Sequence, residues 1–169
     1  MWPVRGKTQG YDTRMKRTAF ILALALAGSA NSADTVPYPD NFRTWSHVKS
    51  GVIGPQHKNF AILGGLHHVY ANKEAMAGYR TREFPEQSVI VFEWLEWNEK
   101  DGAFLEGPRR QVDVMVKNSQ RYASTGGWGF QRFVKDSKTE LAQAPTPQQC
   151  FACHNQLKET DLVLGKYRE

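Results

Sequence analysis

Hydrophobic positions in this chain follow a helical period near the ends of the folded part and a strand period between them. In residues 41–49 (NFRTWSHVK), Phe42, Trp45 and Val48 or Lys49 recur at helical spacing and predict a short amphipathic helix, with residues 51–58 as a loop after it. The period then shortens. The runs 60–71 (FAILGGLHHVYA), 88–97 (SVIVFEWLEW), 111–117 (QVDVMVK) and 127–133 (GWGFQRF) are rich in β-branched and aromatic residues and are bounded by Gly, Pro, Asn or charged stretches, which predicts strands. Val112, Val114 and Val116 alternate with polar neighbours, the mark of one buried face. In 88–97, Val89, Val91 and Leu95 fall on one face and Ile90, Phe92 and Trp94 on the other, so this strand should be covered on both sides.

Helices are signalled by their caps. Asn72 can cap a helix through KEAMAGYRTR, with Glu74 in its first turn and Arg80 and Arg82 in its last, as the helix dipole favours. A shorter turn is expected near residues 118–122. Toward the C-terminus, Thr146, Pro147 and Gln149 form the start of a helix with a capping box. The expected fold class is α+β: a mainly antiparallel sheet of four or five strands with flanking helices, the last of which carries the sequence Cys150-Phe151-Ala152-Cys153-His154.

The N-terminal stretch is set apart from this fold. Met15, Lys16 and Arg17 precede an apolar run at residues 19–27 (AFILALALA) that is too short to span a bilayer, and small residues follow it. Residues 1–33 therefore read as an export signal cleaved between Ala30 and Asp34, with Met15 an alternative start, and residues 34–169 as a single domain that leaves the cytoplasm for the periplasm and holds no membrane anchor after cleavage. Charge changes meaning accordingly. Of 22 Lys and Arg and 17 Asp and Glu, five positives and one negative lie in the signal, leaving 17 against 16 in the domain. The basic balance belongs mostly to the signal and gives no ground for nucleic-acid binding.

Export sharpens the chemistry of the chain's two cysteines. Free thiols at C-x-x-C spacing in an oxidising compartment tend to react unless occupied. On a helix begun at Thr146, Cys150, Cys153 and His154 stand at i, i+3 and i+4 on one face. C-x-x-C-H is the attachment pattern of a c-type haem: each thiol adds to one porphyrin vinyl, and the histidine that follows becomes the proximal iron ligand. A redox dithiol would need a strand entering the helix in a βαβ setting. A zinc site would need a matching pair among His47, His57, His67 and His68, and a disulfide between Cys150 and Cys153 would close a loop too tight for good geometry.

The motif at the far end of a β-rich domain, together with "NFRTWSHV" (41–48), "GGLHHVYAN" (64–72), "SVIVFEWL" (88–95), "VKNSQRYA" (116–123), "GGWGF" (126–130) and "CFACHNQLKETDLV" (150–163) in that order, resembles the cytochrome P-460 family and its cytochrome c′-beta branch. The resemblance implies an exported homodimer with one covalent haem c per chain lying against the sheet, Cys150, Cys153 and His154 on its proximal side and a five-coordinate iron open on the distal side. Hydroxylamine-oxidising members carry a lysine, in a V-x-V-K-E setting, bonded to the porphyrin. Here that segment is Val89-Ile90-Val91-Phe92-Glu93, so Phe92 takes the lysine's place. The likeness then points to the c′-beta branch, in which phenylalanines cap the distal face, with Phe60 as a second candidate cap.

Three functions remain open on this reading. The first is binding of nitric oxide or a similar small uncharged gas in an apolar distal pocket. The second is oxidation of hydroxylamine with electrons passed to a redox partner protein, for which Asp113 and Glu96 are the carboxylates available for proton transfer, although a solvated position is the commoner fate of such residues. The third is plain electron transfer, for which Met76 or Met115 would supply a sixth ligand. His67 and His68, adjacent in a strand, point to opposite faces, so one of them could approach the haem.

Overall fold

The computed structural model describes residues 35–168; the export-signal reading falls on residues outside them. Five strands, β1 (Ser46–Ile53), β2 (Gly65–Ala71), β3 (Val89–Lys100), β4 (Ala103–Lys117) and β5 (Trp128–Val134), form one antiparallel sheet in chain order. Three helices, α1 (Phe60–Leu63), α2 (Lys73–Thr81) and α3 (Pro147–His154), complete the α+β fold expected from the sequence. None of the described helices is long and apolar enough to cross a membrane.

The sheet buries both faces, as the double-sided pattern of β3 requires. One face carries Val69, Ala71, Ile90 and Phe130 and packs beneath α2 and the C-terminal segment through Met76, Tyr79, Leu162 and Val163. The other carries Val91, Val112, Val114 and Phe133 and is covered by the lead-in residues Val36, Tyr38 and Phe42. The valine alternation of β4 thus points into the second layer, and Phe92, with Ile90, into the first.

Helix α2 runs between its expected caps. Asn72 Oδ1 accepts from the Ala75 amide at 2.9 Å, and Arg82, in a left-handed conformation (φ 70°), donates its amide to the Gly78 carbonyl. The first expected helix does not form. Residues Phe42–Thr44 make a single 3₁₀ turn, and Ser46–Ile53 are the edge strand β1, which also absorbs the start of the expected loop. Phe42 belongs to one sheet layer and Val48 to the other, so their spacing marks a chain crossing the sheet edge and not one side of a helix. The run 60–71 also divides: Phe60–Leu63 form the short α1, and Gly65, with φ 112°, opens β2.

Strands β3 and β4 extend past their expected ends. The turn at Asp101 and Gly102, both at positive φ (52° and 79°), joins them into a long hairpin. Its outer part is exposed on both sides, including Phe104 and Leu105, and so shows no alternation in the sequence.

Candidate functional site

The capping box predicted at the start of α3 is present. Thr146 Oγ1 accepts from the Gln149 amide at 3.3 Å, and Gln149 Oε1 accepts from the Thr146 amide at 2.8 Å. This starts the helix where Cys150, Cys153 and His154 share a face. Cys150 and His154 are half-buried toward the sheet, and Cys153 is exposed at the edge. The helix docks against the turn before β5. Gly126, at φ 69°, makes room there: a Cβ on it would lie 2.8 Å from Leu162 Cδ1 and 3.1 Å from Phe151 Cε2.

His154 is held by its outer nitrogen. Nδ1 lies 2.7 Å from the Leu162 carbonyl, which can only accept, so Nδ1 carries the proton and Nε2 keeps its lone pair. The ring packs on Phe130, centroids 5.2 Å apart. Burial lowers its pKa, opposed by the Leu162 hydrogen bond and by Asp113, and keeps the imidazole in the neutral form that binds a metal. The carbonyl it uses is anchored in turn. Asp161, in the left-handed region, accepts from Lys117 Nζ at 2.6 Å, the Phe84 amide at 3.1 Å and Trp128 Nε1 at 3.3 Å, fixing the turn that presents Leu162. Sequence reasoning missed Asp161; its only signal was its place in the C-terminal segment just after the motif.

Beneath α3 a row of side chains crosses the sheet. Register sets Val69, Phe92, Asp113 and Arg132 side by side on β2, β3, β4 and β5, with His67 beside Trp94 one pair further along. His67, Phe92 and Trp94 form an aromatic group, with centroids 4.7 Å apart for His67–Phe92, 4.8 Å for Phe92–Trp94 and 5.4 Å for His67–Trp94. Trp94 Nε1 donates to Asp113 Oδ2 at 2.9 Å, and Arg132 grips the same carboxylate through Nε at 2.6 Å and Nη2 at 2.7 Å. Asp113 is therefore half-buried and doubly bonded, and the solvated position expected for it is wrong: the residue faces the α3 side of the sheet and meets Arg132. Glu96 is exposed, within 4.0 Å of Arg110.

The remaining candidates separate. His67 is buried on the α3 side, and His68 bonds Ser50 on the other side of β2, as their adjacency predicts. Phe60 begins α1, over Gly64, and makes no ring contact with Phe92. Met76 and Met115 pack into the apolar layer beneath α2. A cleft lined by Thr44, Trp45, Ala71, Asn72, Met76 and Arg80 holds none of the motif's side chains.

The donor set fits a haem joined through two sulfurs. Both thiols are free, one helical turn apart, and the imidazole that follows presents an unengaged Nε2. Burial, with Asp113 adding to it, pushes the Cys150 thiol up to about 11, against the pull of Arg132. That is the reverse of the thiolate stabilisation a dithiol oxidoreductase needs. Among the described residues no three His, Cys, Asp or Glu side chains converge on a metal position.

Comparison with curated proteins finds no match. The family model described as Cytochrome P460 matches residues 39–164, a span that takes in all five strands, the aromatic row and the motif on α3. The chain belongs to the cytochrome P460 family of haem proteins.

Proposed function

We propose that the chain is an exported mono-haem cytochrome of the c′-beta kind, carrying covalent haem c on Cys150 and Cys153 with His154 as proximal ligand, that binds nitric oxide or a similar small uncharged gas. When bound on Cys150, Cys153 and His154, the haem would supply an iron able to take a small gas ligand. The chain's residues do the rest. The Leu162 carbonyl holds His154 in one tautomer and one orientation, and the Asp161 carboxylate fixes the turn that presents it.

Phe92 carries the reading. By the resemblance, a phenyl ring takes the place of the porphyrin-bonded lysine of hydroxylamine-oxidising relatives, and it packs against His67 and Trp94 on the sheet face toward α3. It offers no hydrogen bond and excludes water, so charged and strongly hydrated ligands pay their desolvation there while neutral diatomics do not.

Hydroxylamine oxidation finds less support. It calls for a base, and Asp113, the better placed of the two carboxylates, has both oxygens engaged by Arg132 and one also by Trp94. The test is the ferrous spectrum of the matured protein with and without nitric oxide. A high-spin spectrum that changes on adding the gas, without the strong red shift of a lysine-linked haem, is expected. Steady hydroxylamine turnover by the purified protein would overturn the assignment. The homodimer and the periplasmic location belong to the same proposal and rest on family likeness and on the N-terminal segment.

A further inference from the structure

His67 is the residue of the aromatic row whose role nothing above explains. Its side chain is buried, at 8% exposure, and its Nδ1 has no hydrogen-bond partner, a state shared among the described residues only by the Tyr79 hydroxyl. An unsatisfied buried polar group is destabilising and needs a reason. The ring is fixed from three sides. It stacks on Phe92 at 4.7 Å with 29° between planes, leans on Trp94, and lies so close to β1 that a Cβ on Gly51 would come within 2.9 Å of its Cε1 and Nε2. Such fixing suits an imidazole kept ready for a partner the protein itself does not supply. Burial, with Lys49 and His68 nearby, lowers its pKa to about 4, so the ring is neutral and has one N–H to give.

We infer that His67 is the polar contact of the distal pocket: its Nδ1–H donates a hydrogen bond to a diatomic ligand held under the Phe92 ring. This rests on the reading of Phe92 as the distal cap. The pocket then combines an apolar cover with a single donor. The cover rejects water and anions, and the donor stabilises a ligand whose outer atom gains negative charge on binding. The donor is preorganised by its stack, so no side chain must turn to meet the ligand.

The carbon monoxide adduct of the ferrous holoprotein is the probe, read by the infrared C–O stretch and the dissociation rate. In the wild-type protein the C–O band is expected to shift between H2O and D2O, which needs no variant. In His67→Phe, which keeps a ring in the stack, the band should rise to a higher frequency, the isotope shift should vanish, and carbon monoxide should leave roughly 3- to 10-fold faster, the loss of about one net hydrogen bond. His67→Gln should restore part of the effect. Phe92→Ala, measured alongside, separates the two claims. If Phe92→Ala alters carbon monoxide kinetics while His67→Phe does not and the wild-type band ignores D2O, His67 is no donor and the cap stands. If neither substitution changes anything, the cap reading falls and the inference falls with it.

Discussion

Phe92 and Glu93 are neighbours in β3, and the strand sends their side chains to opposite layers with different consequences. Glu93 is fully buried and bonded by Arg109 Nε at 2.7 Å and Arg43 Nε at 3.0 Å. Glu93→Ala would remove a buried carboxylate from Arg109 and Arg43, which keep Asp136 and Glu106 as partners, and is expected to cost about 1–3 kcal/mol in urea denaturation. On the proposed function, Phe92→Ala opens the distal side and should speed entry of a ligand bulkier than nitric oxide, read by stopped-flow; an unchanged rate would mean the ring is not over the iron. Asp161→Ala should leave haem attached yet loosen His154, visible as a shifted and broadened iron–histidine vibration in the ferrous protein. Of these residues the sequence singles out only Phe92, through the resemblance of its strand segment to the V-x-V-K-E setting. Glu93 and Asp161 read as ordinary charges, since their partners lie 16 to 50 residues and 33 to 77 residues away.

At the level of elements, local chemistry was readable and long-range pairing was not. The caps of α2 and α3 lie within a few residues of one another, and both helices form where those caps put them. Thr146→Ala should cost about 1 kcal/mol by removing one half of the α3 capping box, measured as a lower midpoint in chemical denaturation with the slope unchanged. Strand β1 was hidden because its apolar residues serve two layers. Phe42 and Val48 imitate a helix while the chain crosses from one sheet face to the other. The outer half of the β3–β4 hairpin was hidden because neither face is covered, which leaves Asp101-Gly102 as its one local signal. The motif's helical face was legible, but the sheet row beneath it was not: Asp113 meets Arg132 and Trp94 only through β-strand register.

For the molecule as a whole, the buried row couples the site to stability. His67 has its pKa lowered from 6.5 to about 4 in the fold. Above about pH 6.5 neither the folded nor the unfolded state protonates it. As pH falls from there toward about 4, the unfolded chain takes up a proton that the folded protein does not, so stability declines across that window, by at most about 3 kcal/mol. His67→Phe should flatten that part of the pH profile, checked by denaturation midpoints at pH 7 and pH 5. The proposed function gives sheet, helix and row one purpose, to hold a porphyrin between α3 and the sheet by two sulfurs and one nitrogen. Mass spectrometry of the peptide containing Cys150 and Cys153, from protein matured in a host that attaches haem, tests that claim most directly. The account predicts a peptide heavier by one haem, with neither thiol free to alkylate. A peptide of unmodified mass with both thiols alkylated would contradict it.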